Sequence, residues 1–351
     1  MRVLVTGGAG FIGSNFVRYW VGRHSPDEVV VLDALTYAGN PANLSPLGED
    51  GRVSLVHGDI GNQELVEYLL GSRRIDVVVN FAAESHNSLA VLDPARFYRT
   101  NVLGTQALCD AARRVGVERF HHISTCEVYG DLDLDSAESF NEESPYRPRT
   151  PYNASKAGSD HVVRSYAETF GLAATITNCC NNYGPYQFPE KVIPLFTTRA
   201  IRDEKLPVYE SSTHRREWLH VDDHCAAIEL VLAKGSVGET YHVGSGREAS
   251  VAEIAAAVLE TTGKPDSLIE VVPDRPGHDR RYLLDSTKIR SELGWSPLVP
   301  FEEGLAETVR WYMTNEQWWR PLLGRSPVVE GAWEGAPLAP AGGATGTPAS
   351  R

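Results

Sequence analysis

Residues 1–13, MRVLVTGGAGFIG, decide the fold. Val3, Leu4 and Val5 form a short apolar run that stops at glycines, and an amphipathic stretch from Phe11 to Tyr19 follows. That order reads as strand, tight turn, helix. The glycines are Gly7, Gly10 and Gly13, in G-x-x-G-x-x-G spacing. A residue without Cβ permits the turn, lets backbone approach a pyrophosphate, and lets the helix pack close on the strand. The helix N-terminus then offers unpaired N–H groups and a partial positive charge to an anion. Three glycines alone are also the mark of an ordinary turn. The run Val29-Val30-Val31-Leu32, ending in Asp33, supplies the missing context. An acid about twenty residues on can accept from a ribose 2′-hydroxyl and repels a 2′-phosphate, which favours NAD over NADP.

Composition narrows the rest. A chain of 351 residues is long enough for one large or two ordinary domains. Its 42% hydrophobic and 23% charged content is that of a soluble globular protein. No apolar run approaches the roughly 20 residues of a membrane helix, and the start in a strand predicts no signal peptide. Five cysteines without metal spacing suggest a reducing cytoplasm. Adjacent Cys179 and Cys180 read as small buried residues. A net charge of -13 argues against nucleic acid, while a phosphate-bearing cofactor or substrate needs only locally focused cations.

Outward from the first turn, residues 53–60, VSLVHGDI, read as a third strand. Asp59 at its end is either within reach of an adenine amino group or part of a solvated turn. IDVVVNFAA, from Ile75, reads as a fourth buried strand whose small end, Ala82-Ala83, leaves room for a cofactor. A helical pattern from Pro94 to Val115 carries Asn101. RFHHISTCEVYG is a fifth strand with Ser124, Thr125, Cys126 and Glu127 at its carboxyl end, where open parallel sheets bind ligands. Tyr152 and Lys156 are four apart on a helix running to about Phe170, hence on one face. Alone such a pair is usually a solvated face; beside the glycine turn, Asp33 and a strand ending in Ser-Thr, it points to chemistry. Residues 173–178 give a sixth strand. Beyond it lie a partly helical stretch from Phe188 to Asp203 and Arg215-Arg216 in a short strand-like segment. Helices follow at Val221–Ala233, 250–263 and 300–314, with short strands at 240–244 and 268–272. Residues 274–281 form a charged, turn-rich loop.

The expected architecture is α/β. A Rossmann-type doubly wound parallel sheet occupies 1–177, with segments near 219–245 returning to it. A smaller mixed α/β C-terminal domain, 178–325, serves the substrate. From about Pro327 the chain lacks apolar periodicity, so 326–351 is expected to be a disordered tail.

Several motifs together resemble the extended short-chain dehydrogenases/reductases, and within them the dTDP-glucose 4,6-dehydratases. They are TGGAGFIGSNF, LDALTYAGN, HGDI, FAAESH, TNVLGT, STCEVYGD, TPYNASKAGSD, NCCNNYGPYQFPEKVIPLF, RREWLHVDDHC and DRPGHDRRY. The resemblance covers nearly all of residues 1–320. It implies an NAD that is reduced and reoxidised within one turnover. Thr125, Tyr152 and Lys156 fall on the family's hydroxyl–tyrosine–lysine set and Glu127 on its catalytic glutamate. Gly7, Gly10, Phe11, Ile12, Gly13, Asp33, Thr36, Asp59, Ile60, Ala82, Ala83 and Asn101 are expected at the cofactor, with Tyr152 and Lys156. Ser85, His86, Asn181, Lys191, Arg216, Arg275 and His278 are expected at the nucleotide sugar. The resemblance also implies a homodimer that pairs helices near 103–115 and 152–170.

The residues depart from the family where chemistry would occur. Cys126 stands in place of the family's acidic Asp, and three readings stay open: an inert filler, a working acid, or an altered product. Asn87-Ser88-Leu89-Ala90 replaces Val-Asp-Arg-Ser, Asn178 replaces Arg, and residues 210–214 replace a glycine-rich turn. The expected activity is conversion of dTDP-glucose, or a close relative, to the 4-keto-6-deoxy sugar. The alternatives on the same frame are a 5,6-dehydratase leaving an alkene, a 4-epimerase and a uronate decarboxylase. A catalytically silent NAD-binding sensor is the reading from another class.

Overall fold

The computed structural model describes residues 1–274 and 279–325; Arg275, His278 and the expected tail at 326–351 lie outside them. β1 (Arg2–Thr6) buries four of its five residues and turns at Gly7 into α1 (Phe11–Arg23). β2 (Glu28–Asp33) follows, then β3 (Val53–His57). α2 (Gln63–Ser72) begins where Asn62 accepts from the Leu65 N–H at 3.2 Å. β4 (Val77–Asn80) is wholly buried. The short helices α3 (Asn87–Leu92) and α4 (Pro94–Phe97) lead through a wide π turn at Tyr98–Gly104 into α5 (Thr105–Val115). β5 (Arg119–Thr125) is next. α6 (Pro151–Phe170) has Thr150 as its N-cap, proline in its first turn and left-handed Gly171 at its end, which are strong start and stop signals. β6 (Ala174–Cys179) completes this run.

The six strands and a later one, β10 (Thr240–Val243), form one sheet in the order β10-β6-β5-β4-β1-β2-β3, every neighbour parallel. The order 3-2-1-4-5-6 within it is that of a doubly wound dinucleotide fold. Helices cover both faces, so β1, β4 and β6 read as unbroken apolar or small-residue runs rather than alternating ones. The core divides accordingly. Leu4, Val30, Val78 and Phe120 pack on one side with α2 and α5, and Val3, Val31, Val79 and Ile123 on the other with α1.

After β6 the chain builds a second layer. β7 (Asn181–Tyr183), α7 (Val192–Ile201), β8 (Leu206–Tyr209) and β9 (Arg215–His220) come first. α8 (Val221–Lys234) packs against α1, and β10 (Thr240–Val243) joins the large sheet as its edge beside β6. The chain leaves again through β11 (Glu248–Ser250) and α9 (Val251–Thr262), which opens with a Ser250–Glu253 capping box. β12 (Ile269–Val272), β13 (Arg281–Tyr282), α10 (Thr287–Leu293), α11 (Phe301–Thr314) and α12 (Glu316–Trp319) follow. β9 is the hub of this layer, pairing with β7, β11 and β13. Its Glu217 is fully buried and accepts from the Gly246 N–H at 2.7 Å and the Leu284 N–H at 3.0 Å. Burial pushes that carboxyl up to about 7. No helix among the described residues is long and apolar enough to cross a membrane.

Candidate active site

A cavity of about 780 Å³ runs along the carboxyl ends of the parallel strands and under the second layer. Gly7 sits in the left-handed region, φ +65°, and a Cβ there would lie 2.7 Å from the Ala82 nitrogen. At Gly13 a Cβ would lie 2.5 Å from the Gly7 carbonyl oxygen. The turn is therefore pressed both against the end of β4 and against its own helix, and only glycine fits. Gly7, Gly10, Phe11, Ile12 and Gly13 line the cavity, as do Asp33, Thr36, Asp59, Ile60, Ala82 and Ala83. Asp33 is buried, accepting from the Ala9 N–H at 2.9 Å and the Leu35 N–H at 2.8 Å. Burial raises its pKa and the two backbone bonds pull it back. Asp59 accepts from the Gly61 N–H at 2.7 Å, so it is both a turn residue and part of the rim. A glycine cradle at a helix N-terminus with an acid at the end of β2 suits a dinucleotide.

Two expected residues stand off the cavity wall. Asn101 is buried in the π turn, donating to the Glu84 carbonyl at 3.0 Å and to Ser155 at 2.8 Å and accepting from the Glu84 N–H at 2.8 Å. All its polar atoms go to pinning the loop after β4. Cys126 is 1% exposed and packs among Val128, Tyr129, Cys179, Cys180 and Tyr282. β5 ends in a tight turn at Cys126–Tyr129. Thr125 and Glu127 then face the cavity and the residue between them turns inward.

Thr125, Glu127, Tyr152 and Lys156 line one region of the cavity. The Thr125 hydroxyl accepts from the Glu127 N–H at 3.3 Å. Burial pushes the Tyr152 phenol well above its ordinary value, the Glu127 charge pushes further, and a hydrogen bond with Thr125 pulls the other way. The Lys156 ammonium is itself lowered by burial and donates to the Ile123 carbonyl at 2.7 Å. It lies 3.4 Å from His122, which burial and then Lys156 lower to about 4. His122 is in turn 3.5 Å from the fully buried Asp160. Asn178 donates to the Thr125 carbonyl at 3.1 Å and to Asp160 at 3.4 Å. It thus ties β6 to the catalytic end of β5 without adding a charge.

Ser85, His86, Asn181, Lys191 and Arg216 also line the cavity. Lys191 donates to the Ser85 carbonyl at 3.0 Å, and Asn181 accepts from Tyr282 at 2.7 Å. Arg216 is 5.0 Å above the Tyr282 ring and donates to the Asp279 carbonyl. Four further residues sit here to which the sequence alone assigned no role at the site. Asn87 donates to Glu127 at 3.4 Å. Glu190 accepts from Tyr37 at 2.7 Å and faces His86 at 3.3 Å. Asp279 and Tyr282 line the same cavity. The last two stand in DRPGHDRRY, whose charge density marked a loop, with nothing to indicate which side chains turn inward. The 210–214 turn joins β8 to β9, and Ser211 is held by Asp274.

Over residues 4–308 the sequence matches the family described as GDP-mannose 4,6 dehydratase. It is 49% identical over 326 residues to the dTDP-glucose 4,6-dehydratase of Streptomyces niveus, covering 92% of this chain and 96% of that one. The crystal structure of the Streptomyces venezuelae dTDP-glucose 4,6-dehydratase with NAD bound is similar at TM-score 0.88 and 52% identity, covering 92% of this chain and 100% of that one. The Bacillus anthracis enzyme in complex with NAD is similar at TM-score 0.86 and 44% identity, over 92% and 99%. By sequence and by fold, then, the chain belongs to the dTDP-glucose 4,6-dehydratase family of extended short-chain dehydrogenases/reductases.

Proposed function

We propose that this chain is an NAD-dependent nucleotide-sugar dehydratase that converts dTDP-glucose to its 4-keto-6-deoxy product. One observation carries the reading: Thr125, Glu127, Tyr152 and Lys156 line the same cavity as the glycine turn and Asp33. The glycine turn would hold the pyrophosphate and Asp33 the adenosine ribose. Bound there, NAD would supply a reversible hydride acceptor and a positive charge that favours the Tyr152 phenolate. Thr125 orients the C4 oxygen. Tyr152 takes its proton, and Lys156 holds a fixed ammonium nearby. The C4 ketone acidifies the C5 hydrogen, which Glu127 removes as the C6 oxygen departs as water. Asn87, donating to Glu127, orients that base. Ser85, His86, Asn181, Lys191 and Arg216 would take the nucleotide diphosphate. Glu127 argues against a simple 4-epimerase, which needs no base at C5. The neutral Asn87-Ser88-Leu89-Ala90 stretch offers no cation for a uronate.

Homodimer pairing of the helices near 103–115 and 152–170 is supported by two exposed apolar side chains there, Leu103 in the π turn before α5 and Phe170 at the end of α6. Cytoplasmic residence is supported by five cysteines that are all free and buried. The direct test is incubation with dTDP-glucose, UDP-glucose, UDP-N-acetylglucosamine and UDP-glucuronate, with products read by mass and NMR. Water loss with a C4 ketone from dTDP-glucose is expected; an isomer, loss of carbon dioxide or a stable alkene overturns the reading.

A further inference from the structure

Elimination needs a proton for the departing C6 oxygen, and the residue in the usual acid's position cannot deliver it. Cys126 is packed away from the cavity, and burial together with the Glu127 charge holds its proton fast. Glu127 is committed to C5 and Tyr152 to the C4 oxygen. We propose that Asp279, which lines the same cavity as Glu127 and is close enough to feel its charge, is the general acid that protonates the C6 oxygen. This rests on the dehydratase reading above.

Asp279 lines the cavity, is 5% exposed, and its Oδ1 accepts no hydrogen bond among the described residues. Among the described residues, the nearest cation to that oxygen is Arg149, at 3.8 Å, too far for a hydrogen bond. Oδ2 has one long contact, from Asn153 at 3.5 Å. A buried carboxylate with so few donors is costly to ionise, whereas a carboxylic acid needs only one acceptor. Among the described residues, the charged groups acting on it are Glu127 and Asp131, which favour the acid, and Arg216 and Arg149, which oppose it. Burial first, and the Glu127 charge second, push Asp279 up to about 7. At neutral pH it therefore carries a proton in a sizeable fraction of molecules and can give it up.

The balance closes. Glu127 takes the C5 proton; the C–H electrons form the C5–C6 double bond as the C6–O bond breaks. The oxygen leaves with the Asp279 proton as water. Tyr152 has gained the C4 hydroxyl proton, so solvent exchange from Tyr152 to Asp279 restores both groups, while Glu127 returns its proton to C5.

The test is Asp279→Asn in the full chain with dTDP-glucose. Reduced-cofactor absorbance reports C4 oxidation, deuterium uptake at C5 reports the base, and mass reports water loss. Oxidation and exchange are expected to persist while water loss falls by at least about a hundredfold. The alkaline decline of the parent's elimination rate near pH 7 should vanish. With fluoride in place of the C6 hydroxyl, which departs without a proton, the gap between variant and parent should close to under about tenfold. Water loss within about threefold of the parent, or an equal fall in all three readouts, overturns the assignment. A parent that oxidises dTDP-glucose without losing water, or fails to oxidise it, sinks the dehydratase reading itself.

Discussion

Gly7→Ala strikes the point where the first turn meets the end of β4. Gly7 has φ +65°, and an added methyl would lie 2.7 Å from the Ala82 nitrogen, 2.8 Å from its Cα and 2.8 Å from the Phe81 carbonyl carbon. The left-handed backbone costs a side chain roughly 1–2 kcal/mol. Carbon contacts settle near 3.5 Å, so the two backbone segments must part by about 0.7 Å. Neither is a flexible side chain, and such overpacking costs typically ~1–3 kcal/mol. The expected destabilisation is about 3 kcal/mol, or ~4 °C in Tm for a chain of this size. Ala82 and Ala83 line the cavity, so their displacement should weaken NAD by at least about tenfold, close to 1.4 kcal/mol. Gly22→Ala is the control: it lies in α1 with nothing within 4 Å and should gain about 0.5 kcal/mol. Thermal unfolding and calorimetric titration with NAD read all of this. If Gly7→Ala loses under about 1 kcal/mol and keeps its NAD affinity, the close approach is not what this turn depends on.

Cys126→Ala should leave dehydration nearly unchanged and cost about 1 kcal/mol of stability; a large loss of turnover would restore the thiol as a working group. Tyr152→Phe should keep NAD binding while C4 oxidation drops by at least about a hundredfold, and wild-type oxidation rates would remove the tyrosine from the mechanism. Glu217 sets a pH dependence. Its pKa is raised from 4.5 to about 7 by burial, so its contribution is full below pH 4.5 and is lost as pH rises through 7. That difference corresponds to about 3 kcal/mol. Glu217→Gln should flatten the decline in denaturant midpoint between those limits, and an unchanged slope would assign the decline to other groups.

Much of the large sheet was readable because parallel strands buried on both faces leave continuous Val, Ile and Leu runs, as in β1, β2 and β4. Tyr152 and Lys156 were readable because helical spacing fixes a shared face whatever the surroundings. β7 and β11, three residues each, and β13, two, carry no such pattern: pairing with β9 alone makes them strands. VSLVHGDI stops being strand at His57, and Gly58 just beyond it lies so close to Leu65 that a Cβ would be 2.3 Å from its Cδ2. Whether Cys126 or Asn101 reached the cavity turned on a single tight turn and a π turn, neither of which leaves a periodic trace. Asp279 was hidden among charged neighbours, because inward-facing and solvent-facing acids look alike until the wall they join is known.

The placement of β10 has a bearing on how the protein comes into being. The sheet is finished by a strand that the chain reaches only after building β7 to β9, and the cavity by Asp279 and Tyr282 later still. A nascent chain emerging N-terminus first exposes the glycine cradle long before its lid exists. The cradle's far wall and the edge beside β6 stay open until the last third arrives. Loss of that last third would thus leave a sticky, uncapped strand edge rather than a smaller working nucleotide binder.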